Sequence, residues 1–280
     1  MNYREIVNKG SQILKLNNIK SYILDSEILL SKTIKKDRSQ LLLSLDKKIS
    51  EKKIKIFFEY INRRKKNEPI AYITGFKEFW KSNFKVNKDV LIPRPDTEAL
   101  VEQVLNEIDN MSKKTILDVG TGSGCIILSL LNERKKCKGV GVDISKNAIK
   151  LARYNAKIQH IKNRVKFFNS DIDNFYLGKY DFILSNPPYI KLNEISDLDK
   201  DVRNHEPKLA LNGGIDGYSK IKLVIKKSSE LIKKRGKLFL EVGFNQTIKT
   251  LEILRNNGFQ NSMVVKDLAK KNRCIISTKN

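Results

Sequence analysis

The chain has 280 residues, of which 55 are Lys or Arg and 31 are Asp or Glu, giving a formal net charge of +24 at pH 7. A hydrophobic fraction of 40% is that of a globular protein and excludes a disordered one. The length suffices for one large domain or for a large domain and a small one. No apolar run is long enough to cross a membrane, and the first residues lack the apolar core of an export signal, so we expect neither feature.

The positive charge has two interpretations. It indicates either a surface that attracts RNA, DNA or the ribosome, or a lysine-rich usage that covers solvated faces everywhere. The lysines are spread along the whole chain, apart from short runs such as Arg63–Lys66. This even distribution favours the second interpretation, because clustering marks a nucleic-acid footprint.

The metal-binding and nucleophilic side chains form no recognisable pattern. Cys125, Cys137 and Cys274 are odd in number and far apart, so we expect free thiols in a cytoplasmic protein and no disulfide framework. His160 and His205 have no triad or metal spacing, and we expect both to lie at the surface or to be structural. No metal site is expected.

Short helices are predicted from the start of the chain to about residue 67. Asp37 and Ser50 are each expected to begin one, because short polar side chains before apolar residues at helical spacing are typical of helix starts. Asp25 or Ser26 is expected to begin another. We therefore expect a helical N-terminal domain at residues 1–75.

A β-hairpin is predicted next. Its arms are expected at Phe79-Trp80 and Phe84-Lys85-Val86, with the turn near Ser82-Asn83. Two prolines break the chain soon afterwards, at Pro93 and Pro95. The hairpin and this segment form a predicted linker over residues 76–95.

Strands and helices alternate in the rest of the chain. A helix is expected to begin at Asp96 or Thr97, and the alternation after it predicts an α/β fold, with a doubly wound, mostly parallel, Rossmann-like sheet over residues 96–280. The predicted strands are Thr115–Val119, Gly139–Val142, Val165–Phe168, Phe182–Leu184 and Lys237–Glu241, with later ones near Ser262–Val265 and Cys274–Ser277. The predicted helices include Ser145–Gln159, Ser219–Lys234 and Gln246–Asn256.

A glycine-rich loop follows the first of these strands. There the buried sequence Ile-Leu-Asp-Val runs into Gly120, Thr121, Gly122, Ser123 and Gly124. Glycines let a backbone approach a ligand closely, at the edge where doubly wound sheets bind ligands. Asp143 ends the second strand, placed to accept hydrogen bonds from both ribose hydroxyls of a nucleoside, and Asp171 ends the third, placed to meet an adenine amino group. The set predicts a nucleoside pocket without a diphosphate clamp, which S-adenosylmethionine fits better than NAD.

Ser185-Asn186-Pro187-Pro188-Tyr189 follows the apolar run Phe182–Leu184 and predicts a site that methylates a planar nitrogen. Such a nitrogen is a poor nucleophile, because its lone pair is delocalised, and accepting both of its hydrogens turns that pair towards an electrophile. Asn186 offers a side-chain carbonyl for this and Pro187 a backbone carbonyl at fixed φ. Tyr189 offers an aromatic face for a flat group. The alternative is an ordinary turn, since Asn-Pro commonly starts one.

In this order, the motifs resemble the class I S-adenosylmethionine-dependent methyltransferases, and within them the peptide chain release factor glutamine methyltransferases (the HemK/PrmC family). The most specific match is Leu-Ile-Pro-Arg-Pro-Asp-Thr-Glu at residues 91–98, since Asn-Pro-Pro-Tyr is shared with methyltransferases of nucleobases. The resemblance covers most of the chain, including Glu68–Gly75, Glu78–Trp80, Gly120–Gly124, Val142–Ser145, Asn186–Tyr189, Glu206-Pro207, Gly213-Gly214 with Asp216-Gly217, and Glu241–Gly243.

The resemblance implies a role for each site residue. Gly120–Gly124 would hold the methionine part of S-adenosylmethionine and Asp143 its ribose, while Asp171 and Ile172 would lie at its adenine. Ile172 departs from the aromatic residue that many members have there, and His205 replaces a commoner aromatic. The residues expected at the glutamine amide of a release factor's Gly-Gly-Gln loop are Asn186, which would also lie at the cofactor, with Pro187, Pro188 and Tyr189.

The resemblance also implies that class I release factors are the protein substrates and that the N-terminal domain helps to engage them. We expect a monomer that does not bind a membrane. Two rivals stay open: a methyltransferase of amino groups in RNA or DNA, which the positive charge favours, and a non-catalytic protein that binds RNA or the ribosome on the same fold. The intact Asn186–Tyr189 and Gly120–Gly124 motifs argue against the second rival.

Overall fold

The computed structural model describes residues 1–267 and 269–280, which separate into two compact units. The first unit comprises Met1–Phe76 and Asp199–His205, and the second comprises Lys77–Leu198 and Glu206–Asn280. No helix of the described residues is long and apolar enough to cross a membrane.

The first unit is helical and has its own core. Its apolar side chains, among them Ile6, Leu14, Leu29 and Phe57, are fully buried against one another. Its helices are α1 (Tyr3–Leu16), α2 (Tyr22–Ile34), α3 (Arg38–Leu42), α4 (Glu51–Arg64) and α5 (Ile70–Thr74), and the later segment contributes α9 (Lys200–His205).

Two of the predicted helix starts are confirmed and one is wrong. Asp37 caps α3 by accepting a hydrogen bond from the backbone of Gln40, and Ser50 is the N-cap residue of α4. By contrast, α2 begins after Ser21, so that Asp25 and Ser26 lie inside it. These two side chains are buried and serve tertiary contacts instead of a cap, which local sequence does not reveal.

The hairpin is present, but its turn lies two residues earlier than predicted. Its strands are β1 (Phe76–Phe79) and β2 (Ser82–Lys85), so the chain turns at Trp80-Lys81. Trp80 has a φ of 55°, an unusual conformation for a large side chain. Two hydrogen bonds hold it there, from its backbone N–H to Glu98 at 2.8 Å and from its indole N–H to Glu133 at 3.0 Å.

The second unit is built on one sheet, and the predicted fold class is confirmed. In the described residues the strand order is β5-β4-β3-β6-β7-β9-β8, with parallel pairing from β5 to β7 and antiparallel pairing of β9 with both its neighbours. The strands are β3 (Thr115–Val119), β4 (Lys138–Asp143), β5 (Val165–Asn169), β6 (Tyr180–Ser185), β7 (Ile232–Glu241), β8 (Phe259–Lys266) and β9 (Asn272–Lys279).

Helices cover both faces of this sheet. Neighbouring residues of β3 point into different cores, since Ile116 packs on one side and Leu117 on the other. The helices are α6 (Glu98–Asn106), α7 (Cys125–Glu133), α8 (Lys146–Ile158), α10 (Ser219–Leu231) and α11 (Thr247–Asn256). The prediction for α10 was three residues too long, because β7 begins at Ile232. A 3-10 turn, Pro95–Thr97, precedes α6.

The topology determines where a ligand site can form. The first strand of the sheet, β3, pairs with β4 on one side and with β6 on the other, so the strand order reverses at this point. The loops that leave the carboxyl ends of β3, β4 and β6 therefore diverge around a crevice, which is the usual ligand position in such sheets. These loops carry the glycine motif, Asp143 and the Asn-Pro-Pro-Tyr motif.

We predict that the N-terminal unit depends on one buried ion pair. Arg64 donates to Asp25 at 2.6 Å, and only 10% and 6% of the two side chains are exposed. Asp25→Ala leaves the guanidinium buried without its partner, so urea unfolding should show a loss of about 3–5 kcal/mol. The control is Asp46→Ala, which breaks the exposed Arg4–Asp46 pair and should lose under about 1 kcal/mol. Equal losses in the two variants contradict this account.

Candidate active site

A pocket of about 350 Å³ opens at the carboxyl edge of the sheet in the second unit. The loops after β3, β4, β5 and β6 all contribute to its lining, as the switch-point topology requires. The predicted site residues in its wall are Gly120, Thr121, Gly122, Ser123, Asp143, Asp171, Ile172, Asn186, Pro187 and Pro188. In the described residues, Gly124 and Tyr189 are not part of that wall: Gly124 is the N-cap residue of α7, and Tyr189 packs against a core cluster.

The glycine loop is held in a conformation that side chains disfavour. Gly120 and Gly122 have φ values of 72° and 55°, and a Cβ atom at Gly120 would meet no atom within 4 Å. Glycine is therefore needed there for the backbone conformation and leaves open space beside it. Thr121 fastens the loop to the strand by donating to Asp118 at 2.7 Å.

Asp143 joins the loop after β4 to the glycine loop. Its Oδ2 atom accepts a hydrogen bond from the Gly122 backbone at 2.9 Å, and its Oδ1 atom accepts one from the Ser145 backbone at 2.8 Å. Burial raises the pKa of this carboxyl, and the two backbone N–H groups oppose the rise. Each carboxylate oxygen has a second lone pair, so Asp143 can still accept hydrogen bonds from a ligand.

Asp171, predicted to end the third strand, lies just beyond that strand at the start of the next element. Strand β5 ends at Asn169, and Asp171 follows it as the N-cap residue of a 3-10 turn, Ile172–Asn174. Asp171 accepts a hydrogen bond from the Asp173 backbone at 3.3 Å, and Ile172 is buried beside it. Both still line the pocket.

Asn186 is oriented by a chain of buried hydrogen bonds. Its Nδ2 atom donates to the Thr97 hydroxyl at 3.1 Å, and that hydroxyl donates to Glu241 at 2.6 Å. Thr97 and Glu241 are 3% and 2% exposed. Both residues lie in segments that resemble the methyltransferase family, but the sequence alone predicted no role for either in the site. The signals in the sequence are the segments that contain them, residues 91–98 for Thr97 and 241–243 for Glu241, and neither segment specifies a contact.

The ring of Tyr189 lies at the far side of the same network. Its hydroxyl donates to Glu241 at 3.3 Å and accepts from Arg273 at 3.4 Å. Arg273 in turn pairs with Asp267 at 3.0 Å and with Asp96 at 3.4 Å. Its place beside a substrate thus stays a prediction, while its hydroxyl clearly serves the buried network.

Two buried carboxyl groups flank the pocket with strongly shifted pKa values. Burial raises the pKa of Glu241 to about 7, against the opposing effects of Thr97 and Arg273. Burial likewise raises the pKa of Asp118 to about 7, despite its hydrogen bond from Thr121. Both acids therefore change charge close to neutral pH.

The histidines lie elsewhere. His160 is exposed, and His205 belongs to the first unit, where its Nε2 atom bonds with the Lys66 carbonyl at 3.1 Å. Among the residues that the structure describes, no group of three or more His, Cys, Asp or Glu side chains is arranged to hold a metal ion. Cys125, Cys137 and Cys274 are free thiols.

Comparison with known proteins agrees with this geometry. Residues 95–202 match the family model described as methyltransferase small domain, and residues 5–75 match the PrmC N-terminal domain. A crystal structure of a methyltransferase from Pyrococcus furiosus has the same fold, with a TM-score of 0.54 at 17% identity over 78% of this chain and 98% of that one. The fold and the site define a class I S-adenosylmethionine-dependent methyltransferase.

Closer relatives define the family. The chain is 39% identical to the release factor glutamine methyltransferase of Clostridium acetobutylicum, over 100% of this chain and 99% of that protein. It belongs to the release factor glutamine methyltransferase family. It is also 36% identical to the bifunctional methyltransferase of Rickettsia felis, over 98% of this chain but only 57% of that longer protein.

We predict that Glu241 lowers stability at alkaline pH. Its folded pKa of about 7 lies above the ordinary value of 4.5, so its favourable contribution is complete below pH 4.5 and is lost as the pH rises through 7. Glu241→Gln should thus stabilise the protein by up to about 3 kcal/mol at about pH 8 and by only about 1 kcal/mol at about pH 5. Urea unfolding at both pH values measures this. A gain that does not depend on pH contradicts the assignment.

Proposed function

We propose that the chain transfers a methyl group from S-adenosyl-L-methionine to the side-chain amide nitrogen of the glutamine in the Gly-Gly-Gln motif of class I peptide chain release factors. The observation that carries the proposal is the fixed orientation of Asn186. Because its Nδ2 atom donates to Thr97, its Oδ1 atom is left as an acceptor at the pocket that the glycine loop also lines.

The residues of the pocket fit the cofactor. Asp143 has free lone pairs for two ribose hydroxyls, Ile172 offers an apolar contact for adenine, and the half-exposed Asp171 offers an acceptor for its amino group. Gly120–Gly124 would hold the methionine part. When bound, S-adenosyl-L-methionine supplies a methyl group on a positively charged sulfur and would leave as S-adenosyl-L-homocysteine once the S–CH3 bond is broken.

The protein's own part in the reaction is positioning. Asn186 Oδ1 and the backbone carbonyl of Pro187 would each accept one N–H hydrogen of the substrate amide, which directs the nitrogen lone pair away from them and towards the methyl donor. Holding both reactants in this arrangement lowers the barrier without a strong base. The nitrogen becomes acidic as it gains the methyl group, so its proton can pass to water. Pro188 and Tyr189 would support the substrate from the same loop.

The finer properties belong to the same proposal. Residues 1–75 would help to engage the release factor, residues 76–95 would link the domains, and residues 96–280 would carry the catalytic domain. We further propose that the chain acts as a monomer in the cytoplasm, with binding to nucleic acid possible but not favoured. Light scattering measures the oligomeric state, and electrophoretic mobility shifts with ribosomal RNA measure binding to nucleic acid.

Removing Asp143 should weaken cofactor binding. Asp143→Ala deletes two acceptors for ribose and releases the Gly122 and Ser145 backbones, so calorimetry should show affinity for S-adenosyl-L-methionine weakened by about 30-fold or more. Asp181→Ala is the matched control, because that carboxylate bonds Thr115 at the start of β3, at the opposite edge of the sheet. Unchanged affinity in Asp143→Ala contradicts the assignment of the ribose site.

Removing Asn186 should stop methyl transfer while the cofactor still binds. With Asn186→Ala one of the two amide acceptors is lost, so kcat for a release factor should fall by about 100-fold or more. The assay incubates the protein with labelled S-adenosyl-L-methionine and either a release factor or RNA. Label on the release factor supports the proposal, label on RNA supports the nucleobase rival, and label on neither supports a non-catalytic protein. Full activity of Asn186→Ala contradicts the mechanism.

A further inference from the structure

Thr97 occupies a position in which its hydroxyl has no freedom. A hydroxyl has a single hydrogen to donate, and here that hydrogen goes to Glu241 Oε2 at 2.6 Å. The group of Asn186 that faces Thr97 must then be a donor. Its NH2 group takes this place at 3.1 Å, and the carbonyl oxygen is turned the other way.

From this count of donors and acceptors we propose that Thr97 and Glu241 are positioning residues, which form a hydrogen-bond relay that keeps the Asn186 carbonyl facing the substrate amide. This inference rests on the proposed function, since it explains how one amide-accepting atom is oriented. An amide side chain has no such preference by itself, because its two ends have nearly the same shape. The relay selects one of the two orientations, because Thr97 can only accept a hydrogen bond from Asn186.

The charge of Glu241 sets the direction of the relay. As a carboxylate it only accepts, which fixes the order of donors from Asn186 through Thr97 to Glu241. Once protonated it can donate to Thr97, whose hydrogen is then free to point at Asn186 and to favour the carbonyl on that side. The NH2 group would then face the pocket, where it cannot accept a substrate hydrogen.

The groups around Glu241 place this change near neutral pH. Burial raises the pKa of Glu241 to about 7, and the nearby charge of Asp96 adds to the rise, whereas Arg273 and Tyr189 oppose it. Cys274 faces it from β9, with a thiol pKa that burial raises well above its ordinary value, so that it stays uncharged. The active form is the carboxylate, so activity falls as the pH drops through about 7.

The first test removes the hydroxyl and then restores it. Thr97→Val keeps the shape but abolishes the relay, and we expect kcat for the release factor to fall about 10-fold while the affinity for S-adenosyl-L-methionine stays unchanged. Thr97→Ser restores the hydroxyl and should restore kcat to within about 2-fold. Thr115→Val is the matched control with wild-type kcat expected, since Thr115 donates to Asp181 at 2.7 Å at the opposite edge of the sheet.

The second test reads the charge of Glu241. We expect the ratio of wild-type kcat to Glu241→Gln kcat to rise with pH, following a single ionisation near pH 7, because glutamine does not titrate. Asp118 also has a pKa of about 7, but it is present in both proteins, so its effect on kcat cancels in the ratio. A flat ratio overturns the relay, as does wild-type kcat in Thr97→Val or a Thr97→Ser variant as slow as Thr97→Val. If the wild-type protein methylates no release factor, the proposed function itself has failed, which is a separate result.

Discussion

The active site depends on one buried hydroxyl that can donate only once. Thr97 gives its hydrogen to Glu241 and therefore requires a donor from Asn186. The Asn186 carbonyl is thus turned the other way, where the proposed function needs an acceptor. Burying Glu241 beside Tyr189 and Arg273 costs free energy, as its raised pKa shows. Buried charges with shifted pKa values are common at functional sites. Here the buried carboxylate fixes a single orientation of the Asn186 amide.

The sheet topology makes that arrangement possible. Asn186, Asp143 and the glycine loop lie at the carboxyl ends of three different strands. They reach the same edge because β4, β3 and β6 run parallel and the strand order reverses at β3. One strand thus leads into the glycine loop, and its neighbour leads into the Asn-Pro-Pro-Tyr motif. Residues of both motifs therefore line one pocket without any side chain needing to reach far.

Most of the sheet and the motifs at its carboxyl edge were predictable from the sequence, for a physical reason. The central strands β3 and β6 are buried on both faces, so they read as apolar runs, and the motifs that follow them are local in the sequence. The relay was not predictable, since Thr97 and Glu241 are 144 positions apart and neither has a local signature of its role. The predicted positions of the hairpin turn and of the start of α2 were wrong for a similar reason. Tertiary hydrogen bonds, between Trp80 and Glu98 and between Asp25 and Arg64, outweigh the local preference there.

The measurement that tests the central claim most directly is tandem mass spectrometry of a class I release factor after incubation with the protein and S-adenosyl-L-methionine. The account predicts one added methyl group, located on the side-chain nitrogen of the Gly-Gly-Gln glutamine. A release factor that stays unmodified, or a methyl group found on any other residue, would contradict it.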